Sequence, residues 1–440
     1  MFSPQATRHK PTTAHRFPRP AHHKETHMKK LLALAAALSV TASAAPVTLT
    51  YWQYDFASKV STMNDLIKKF EAANPDIKIK QETFPYDAYN QKVASSVPAG
   101  QGPDVVNLFY GWLPQYVDSG FLQPLPEKDF PTKTIESTFV PMIKTSKIGG
   151  KYYALPTAVR TLALFYNKDM MKQSGVLTVP RTWEDFIVAG QKMTKGTAPR
   201  YSQIGFGIAP NGQDWQMLRE VLIRQYGGTP FTDGGKKVNY TSDAGTKAMQ
   251  FYTDLLTKNK VGVTDYFPGN NGYRDAFIAG KAGMIIDGSF AIAGIKGGAK
   301  FNWGVVPLPT FKNSNVRGNF GSYWVNGITK NAKGDKLAAS IKFLKFLTSE
   351  QTMNTWLTSV GEIPASKKLA NNPELRKDPV YGAFVYSLPF ASSTLFVDEA
   401  GQRQAWLDGI NMVLKQGANP ADAMKKIAAD EQKILNGYYK

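Results

Sequence analysis

Between residues 47 and 109 short apolar segments alternate with amphipathic ones, and this alternation limits the fold more than any other feature of the chain. Residues 47–52 (VTLTYW) read as a buried strand, after which Val60, Met63, Leu66, Ile67 and Phe70 fall at helical spacings of three and four. Residues 76–81 (DIKIKQ) alternate like a strand, 86–97 are helical, and 102–109 (GPDVVNLF) form another buried strand. Strand, helix, strand, helix, strand is the pattern of a parallel sheet with right-handed crossovers.

A second block of the same kind begins near Arg160. Residues 161–167 (TLALFYN) read as a strand and 168–174 as a short helix with Gly175 as its C-cap, and Thr182 caps a helix through Trp183, Phe186, Ile187 and Val188. Strands follow at 204–208, 282–287 and 303–308, with helices near 215–226, 243–258 and 273–279. Residues 324–329 (WVNGIT) precede an amphipathic helix through Leu337, Ile341, Leu344 and Leu347, and the remainder is helical. A chain of 440 residues exceeds what one core holds, about 250 to 300, so the expectation is two α/β lobes linked by short crossing strands.

Residues 1–27 are polar and rich in His, Arg and Pro and read as a disordered upstream extension. From Met28, Lys29 and Lys30 lead an apolar run at 31–40, and Ala42, Ser43 and Ala44 supply the small residues of a cleavage site. Residues 28–44 are therefore expected to be an export signal, too short to span a bilayer, and the protein is expected in the periplasm or elsewhere outside the cytoplasm. All five histidines precede Met28 and the chain has no cysteine, which excludes His-based or Cys-based nucleophile systems, Cys/His zinc sites and disulfides. Residues 1–44 hold seven Lys or Arg and one acid. Of 53 basic and 34 acidic residues the rest thus keeps 46 and 33, a net charge of +13. These charges are scattered singly or in pairs, as on a solvated surface, and no nucleic-acid partner is expected.

In open parallel sheets ligands bind beyond the carboxyl ends of the strands. Those ends are aromatic here: Tyr51, Trp52, Tyr54 and Phe56 around the first, Tyr110 and Trp112 after the GPDVV strand, Trp215 after residues 204–212, Phe290 after residues 282–289, and Tyr323 and Trp324 at the returning strand. Asp55, Asn107, Arg160, Asp214 and Asp287 lie near the same ends. A sugar presents apolar C–H faces and hydroxyl edges, and flat aromatics beside short polar groups are the surface that holds it. The stretch GFGIAPNG at 205–212 lacks the third glycine of a dinucleotide fingerprint, and GKAG at 280–283 lacks the rest of a phosphate loop, so both read as turns.

GPDVV with YVDSGFLQPL (116–125), KYYALPTAVRTLALFYNKDMM (151–171), RTWEDF (181–186), FIAGKAGMIIDGSF (277–290), WGVVPLP (303–309), ASIKFLKFLTSEQ (339–351) and GEIPASK (361–367) resemble, in order, the extracellular solute-binding proteins of ABC sugar importers, the group that includes the maltose-binding protein. The resemblance spans nearly all of the chain after the signal. It implies a two-lobed Venus-flytrap fold, each lobe a mostly parallel sheet flanked by helices, joined by hinge strands near 156–160 and 305–309. The first lobe would be 45–158 plus 308–355 and the second 159–307 plus 356–440. It further implies a monomer that captures a mono- or oligosaccharide between its lobes and passes it to the membrane permease of an importer, with no cofactor, metal or catalytic residue. The binding positions it implies are Tyr54 and Asp55; Asn107, Tyr110 and Trp112; Arg160; Asp214 and Trp215; Asp287 and Phe290; and Gly321, Tyr323 and Trp324. Arg160 stands where the maltose-binding protein has an acidic residue, which argues against maltose. The alternatives are a polyol or sugar phosphate as ligand, since Arg160 suits an anionic group, or a secreted carbohydrate-active enzyme using paired carboxylates.

Overall fold

Alternation along the Val47–Tyr54 strand sends Leu49 and Tyr51 to one face of its sheet and Trp52 and Tyr54 to the other. Leu49 and Tyr51 pack with Met63, Leu66 and Phe70 of the Ala57–Ala73 helix and with Phe343 and Leu347 of the Asp335–Leu347 helix. Trp52 and Tyr54 belong instead to a larger core that reaches both sheets of the protein. The computed structural model describes residues 45–440 other than Pro199 and Asn270; the expected extension at 1–27 and export signal at 28–44 lie outside the described residues.

The first sheet has six strands, in the order Ile363–Pro364, Ala154–Arg160, Ser322–Ile328, Val105–Phe109, Val47–Tyr54 and Ile77–Phe84. The second has five: Trp303–Val306, Leu162–Asn167, Ala282–Gly288, Arg200–Gly207 and Lys195–Thr197. The chain therefore changes sheet at Thr161, inside a nearly continuous extended run, and again after Val306. Mostly parallel ladders hold for the Val47–Phe109 region, where Val47–Tyr54 pairs in parallel with both neighbours. Elsewhere the sheets are mixed. Ser322–Ile328 runs antiparallel to Val105–Phe109 and to Ala154–Arg160, and Leu162–Asn167 runs antiparallel to both of its neighbours.

The Glu350–Val360 helix places Trp356 and Val360 in the core beneath Leu49 and Tyr51, and Ile363–Pro364 pairs with Ala154–Arg160, so the chain leaves the first sheet only after Pro364. Local signals behave as their chemistry requires. Thr182 Oγ1 accepts from the Asp185 amide at 3.1 Å, Asn167 Oδ1 from Met170 at 2.9 Å, and Gly175 takes φ +66° after the short helix. In the second sheet Gly205 meets Gly190 of the Trp183–Met193 helix so closely that a Cβ on Gly205 would lie 1.9 Å from the Gly190 carbonyl oxygen. Helix and strand can approach to this distance only with glycine at that position.

Candidate functional site

The carboxyl ends of Val47–Tyr54, Val105–Phe109 and Ala154–Arg160 share one edge of the first sheet. The start of the antiparallel Ser322–Ile328 strand falls at the same edge, with Ser322 opposite Arg160 and Trp324 opposite Phe109. This register gathers Tyr54, Trp112 and Trp324, whose side chains are buried at 5, 6 and 7% exposure. The rings of Tyr54 and Trp324 lie 4.2 Å apart at 34°, and Trp112 stands edge-on to Trp324 at 5.3 Å. Tyr86, half exposed, meets Tyr54 at 5.5 Å and Trp324 at 6.3 Å and carries the aromatic surface outward. Trp112 Nε1 points to Glu399 Oε2 at 3.5 Å, and burial raises the Glu399 carboxyl above its ordinary range.

Arg160 borders this surface. Its Nε donates to Glu362 Oε1, and its Nη2 lies 3.4 Å from the Tyr54 hydroxyl. The same Glu362 oxygen accepts Lys59 Nζ at 3.0 Å, while Oε2 accepts Trp356 Nε1 at 2.8 Å. Burial alone would raise the Glu362 carboxyl; Arg160, Lys59 and the Trp356 indole instead hold it down to about 2. Lys59 is 2% exposed, and four rings, those of Tyr54, Phe56, Trp324 and Trp356, lie within 6.0 Å of its ammonium.

Across from Arg160 stands the second sheet. The Arg160 guanidinium lies 4.8 Å from the Phe290 ring centre, and Arg274 lies 5.2 Å from it, so the ring contacts two guanidinium groups. Arg274 holds both oxygens of the buried Asp287, at 2.6 and 3.1 Å, and Asp287 Oδ1 also accepts the Gly288 amide at 2.8 Å. Asp214 is buried nearby, its Oδ2 accepting from the Ala209 amide at 2.7 Å and the Tyr252 hydroxyl at 3.0 Å. Burial pushes the Asp214 carboxyl up to about 7, against these two hydrogen bonds and with the help of neighbouring Asp287. Trp215 is buried under Arg219 at 4.9 Å, and Phe396 joins it at 6.0 Å to Phe109, which lies 6.0 Å on Phe396's other side.

The expected residues thus divide. Tyr54, Trp112, Arg160, Phe290 and Trp324 come together between the sheets, with Asp214, Trp215 and Asp287 behind them on the second-sheet side. Tyr110 and Tyr323 stack on each other at 4.6 Å within the core, and the Tyr323 hydroxyl is bound to Thr145 and Ser146 at 2.6 and 2.9 Å. Asn107 is tied through its amide to Asn326 Oδ1 at 3.0 Å and lines, with Lys59, Thr157 and Glu362, a polar cavity large enough for about one water. Gly321 is held at both backbone groups by Ser392 and Ser393, at 2.9 and 2.8 Å. Asp55 lies at the surface, where among the described residues only its amide is bound, to Phe84 at 2.7 Å.

Sequence reading missed Lys59, Tyr86, Arg274, Glu362, Phe396 and Glu399. Lys59 had a legible sign: it sits four residues before Met63 on the apolar stripe of its helix, where a charge needs a buried partner. Phe396 had none, because it arrives from a loop far along the chain.

Residues 55–354 match the family model described as bacterial extracellular solute-binding protein. A galactooligosaccharide-binding protein of Bacillus subtilis is 28% identical over 386 residues, covering 84% of this chain and 86% of that protein. A maltotriose-binding protein of Pyrococcus abyssi is 26% identical over 341 residues, 76% of this chain and 70% of its own. Among solved structures, the GacH receptor of Streptomyces glaucescens, determined unliganded and in complex with acarbose, superposes with a TM-score of 0.76 at 24% identity over 89% of this chain and 99% of that one. An ABC transporter solute-binding protein of Thermotoga lettingae bound with α-D-tagatose gives 0.76 at 23% identity over 88% and 100%. These likenesses establish the two-lobed fold.

Proposed function

The chain belongs to the bacterial extracellular solute-binding proteins, and on that footing we propose that it captures a mono- or oligosaccharide between its two sheets and delivers it to an ABC importer. The observation that carries this reading is the aromatic cluster of Tyr54, Trp112 and Trp324, buried between the sheets and opening outward through the half-exposed Tyr86, bordered by Arg160 and faced by Phe290 from the other side. Rings of this kind bury the C–H faces of a pyranose, and the charged edge supplies donors to its hydroxyls. The relatives whose names specify oligosaccharides support the same ligand class. A sugar touching both halves binds the closed arrangement better than an open one and shifts the protein toward it.

The state of two acids supports binding without turnover. Glu362 is occupied by two cations, and both oxygens of Asp287 are taken by Arg274, so neither carboxylate is offered as a nucleophile or general base. The reading includes export through the signal at 28–44, a periplasmic or other extracytoplasmic monomer, a permease as the membrane partner, and no nucleic-acid partner. The test is a thermal-unfolding screen of the chain from Ala45 against mono-, di- and oligosaccharides and polyols, with chromatography of each stabilising sugar after incubation. A selective sugar at about 100 times its dissociation constant adds about 2.7 kcal/mol and is recovered intact. Steady cleavage would replace binding with catalysis, and absence of any carbohydrate effect would remove the sugar reading.

A further inference from the structure

The charges beside the aromatic surface do not balance. Lys59 and Arg160 share one carboxylate, that of Glu362, and share even the same oxygen of it. The other oxygen accepts Trp356 Nε1, so a single carboxylate serves both cations and an indole. Among the described residues no second carboxylate lies within ion-pair distance of Lys59 or Arg160. On the facing sheet, Asp287 is paired with Arg274. Two cations and one anion in a largely dry place leave a net positive charge, which is costly until an anion meets it.

The geometry also shows where that anion would sit. Lys59 is enclosed by four rings and Glu362, whereas the Arg160 side chain keeps 12% exposure at the junction of the sheets. Its Nε is used by Glu362 and its Nη2 reaches only the Tyr54 hydroxyl, at a long 3.4 Å; Nη1 makes no hydrogen bond among the described residues. The guanidinium carbon lies 4.8 Å from the Phe290 ring centre, a contact that holds the group in place while Nη1 stays available to a ligand. An oxyanion on that edge forms charge-assisted hydrogen bonds, which a neutral hydroxyl cannot match.

We infer that the carbohydrate taken by this site carries an oxyanion, a carboxylate or a phosphate, seated on the free edge of Arg160. The inference rests on the sugar reading above and narrows it. The experiment is calorimetric titration of the chain from Ala45 with matched pairs, digalacturonate against galactobiose and glucose 6-phosphate against glucose, with inorganic phosphate and acetate alone as controls. At least one charged sugar is expected to bind about tenfold or more tightly than its neutral partner, and the pair that shows the preference distinguishes carboxylate from phosphate. Arg160→Met is expected to bring that ratio toward one, as is Lys59→Met, which removes the surplus charge while Arg160 keeps Glu362. The parent ratio decides the matter even if either variant fails to fold. Equal or weaker binding of both charged sugars, with neutral ones bound, would overturn the oxyanion and leave the sugar reading standing. Phosphate or acetate bound as tightly as the charged sugar would mark an adventitious ion only and overturn it too. No binding by any carbohydrate would overturn both readings.

Discussion

Replacing Glu362 with Gln tests the ionic core of the site. The substitution keeps the volume and an acceptor for Trp356 but removes the one negative charge facing Lys59 at 3.0 Å and Arg160. Lys59 at 2% exposure cannot turn to water, so its ammonium must either stay charged without a counter-ion or lose its proton. Breaking a buried pair in this way costs about 3 to 5 kcal/mol. Unfolding entropy of about 2.1 cal/mol/K per residue over a chain of this length makes each kcal/mol worth about 1 °C, so the expected drop in melting temperature is about 3 to 5 °C. Differential scanning calorimetry at pH 7 measures it. The double variant Lys59→Met with Glu362→Gln should recover part of the loss, because it removes a cation along with the anion. A Glu362→Gln protein that melts within about 1 °C of the parent, or a double variant that melts lower than the single one, would refute the argument that the carboxylate anchors both cations.

Trp324→Ala should weaken carbohydrate binding by about 1 to 3 kcal/mol, and Trp215→Ala by less, since Trp215 lies under Arg219 and away from the Tyr54 surface; titration calorimetry compares them. The buried Asp214 carboxyl, pushed up to about 7, keeps its proton where the unfolded chain has already released it near pH 4. Stability should therefore fall as pH rises from about 4 to about 7 and level off above, and Asp214→Asn should flatten that slope in urea titrations across pH. Gly205→Ala drives a Cβ against the Gly190 carbonyl oxygen and should cost about 1 to 3 kcal/mol, read as a lower urea midpoint.

The parts of the fold that rest on local periodicity were legible in the sequence. The Val47–Phe109 alternation, the caps at Asn167 and Thr182 and the buried face of the Ala57–Ala73 helix all depend on residues a few positions apart. Strand direction was not legible, because it depends on which sheet a strand returns to, and nothing within Ser322–Ile328 encodes that. The same limit separates the site residues. Tyr54, Trp112 and Trp324 were found because strand ends meet at one edge. Tyr110 and Tyr323 have the same composition and neighbourhood in sequence but turn inward to stack on each other, a difference of side-chain direction that periodicity could not resolve. Glu362 immediately precedes a short edge strand more than 200 residues from Lys59 and Arg160, and only the assembled sheet makes it their common partner.

A crystal structure of the chain from Ala45 with the sugar that most raises its melting temperature shows directly whether a carbohydrate binds between the sheets against Tyr54, Trp324 and Trp112. Sugar density is expected against Trp324 and Trp112, with an oxygen of the ligand within hydrogen-bond distance of Arg160. Density for the sugar elsewhere on the molecule, with those rings packed only against protein, would contradict this placement.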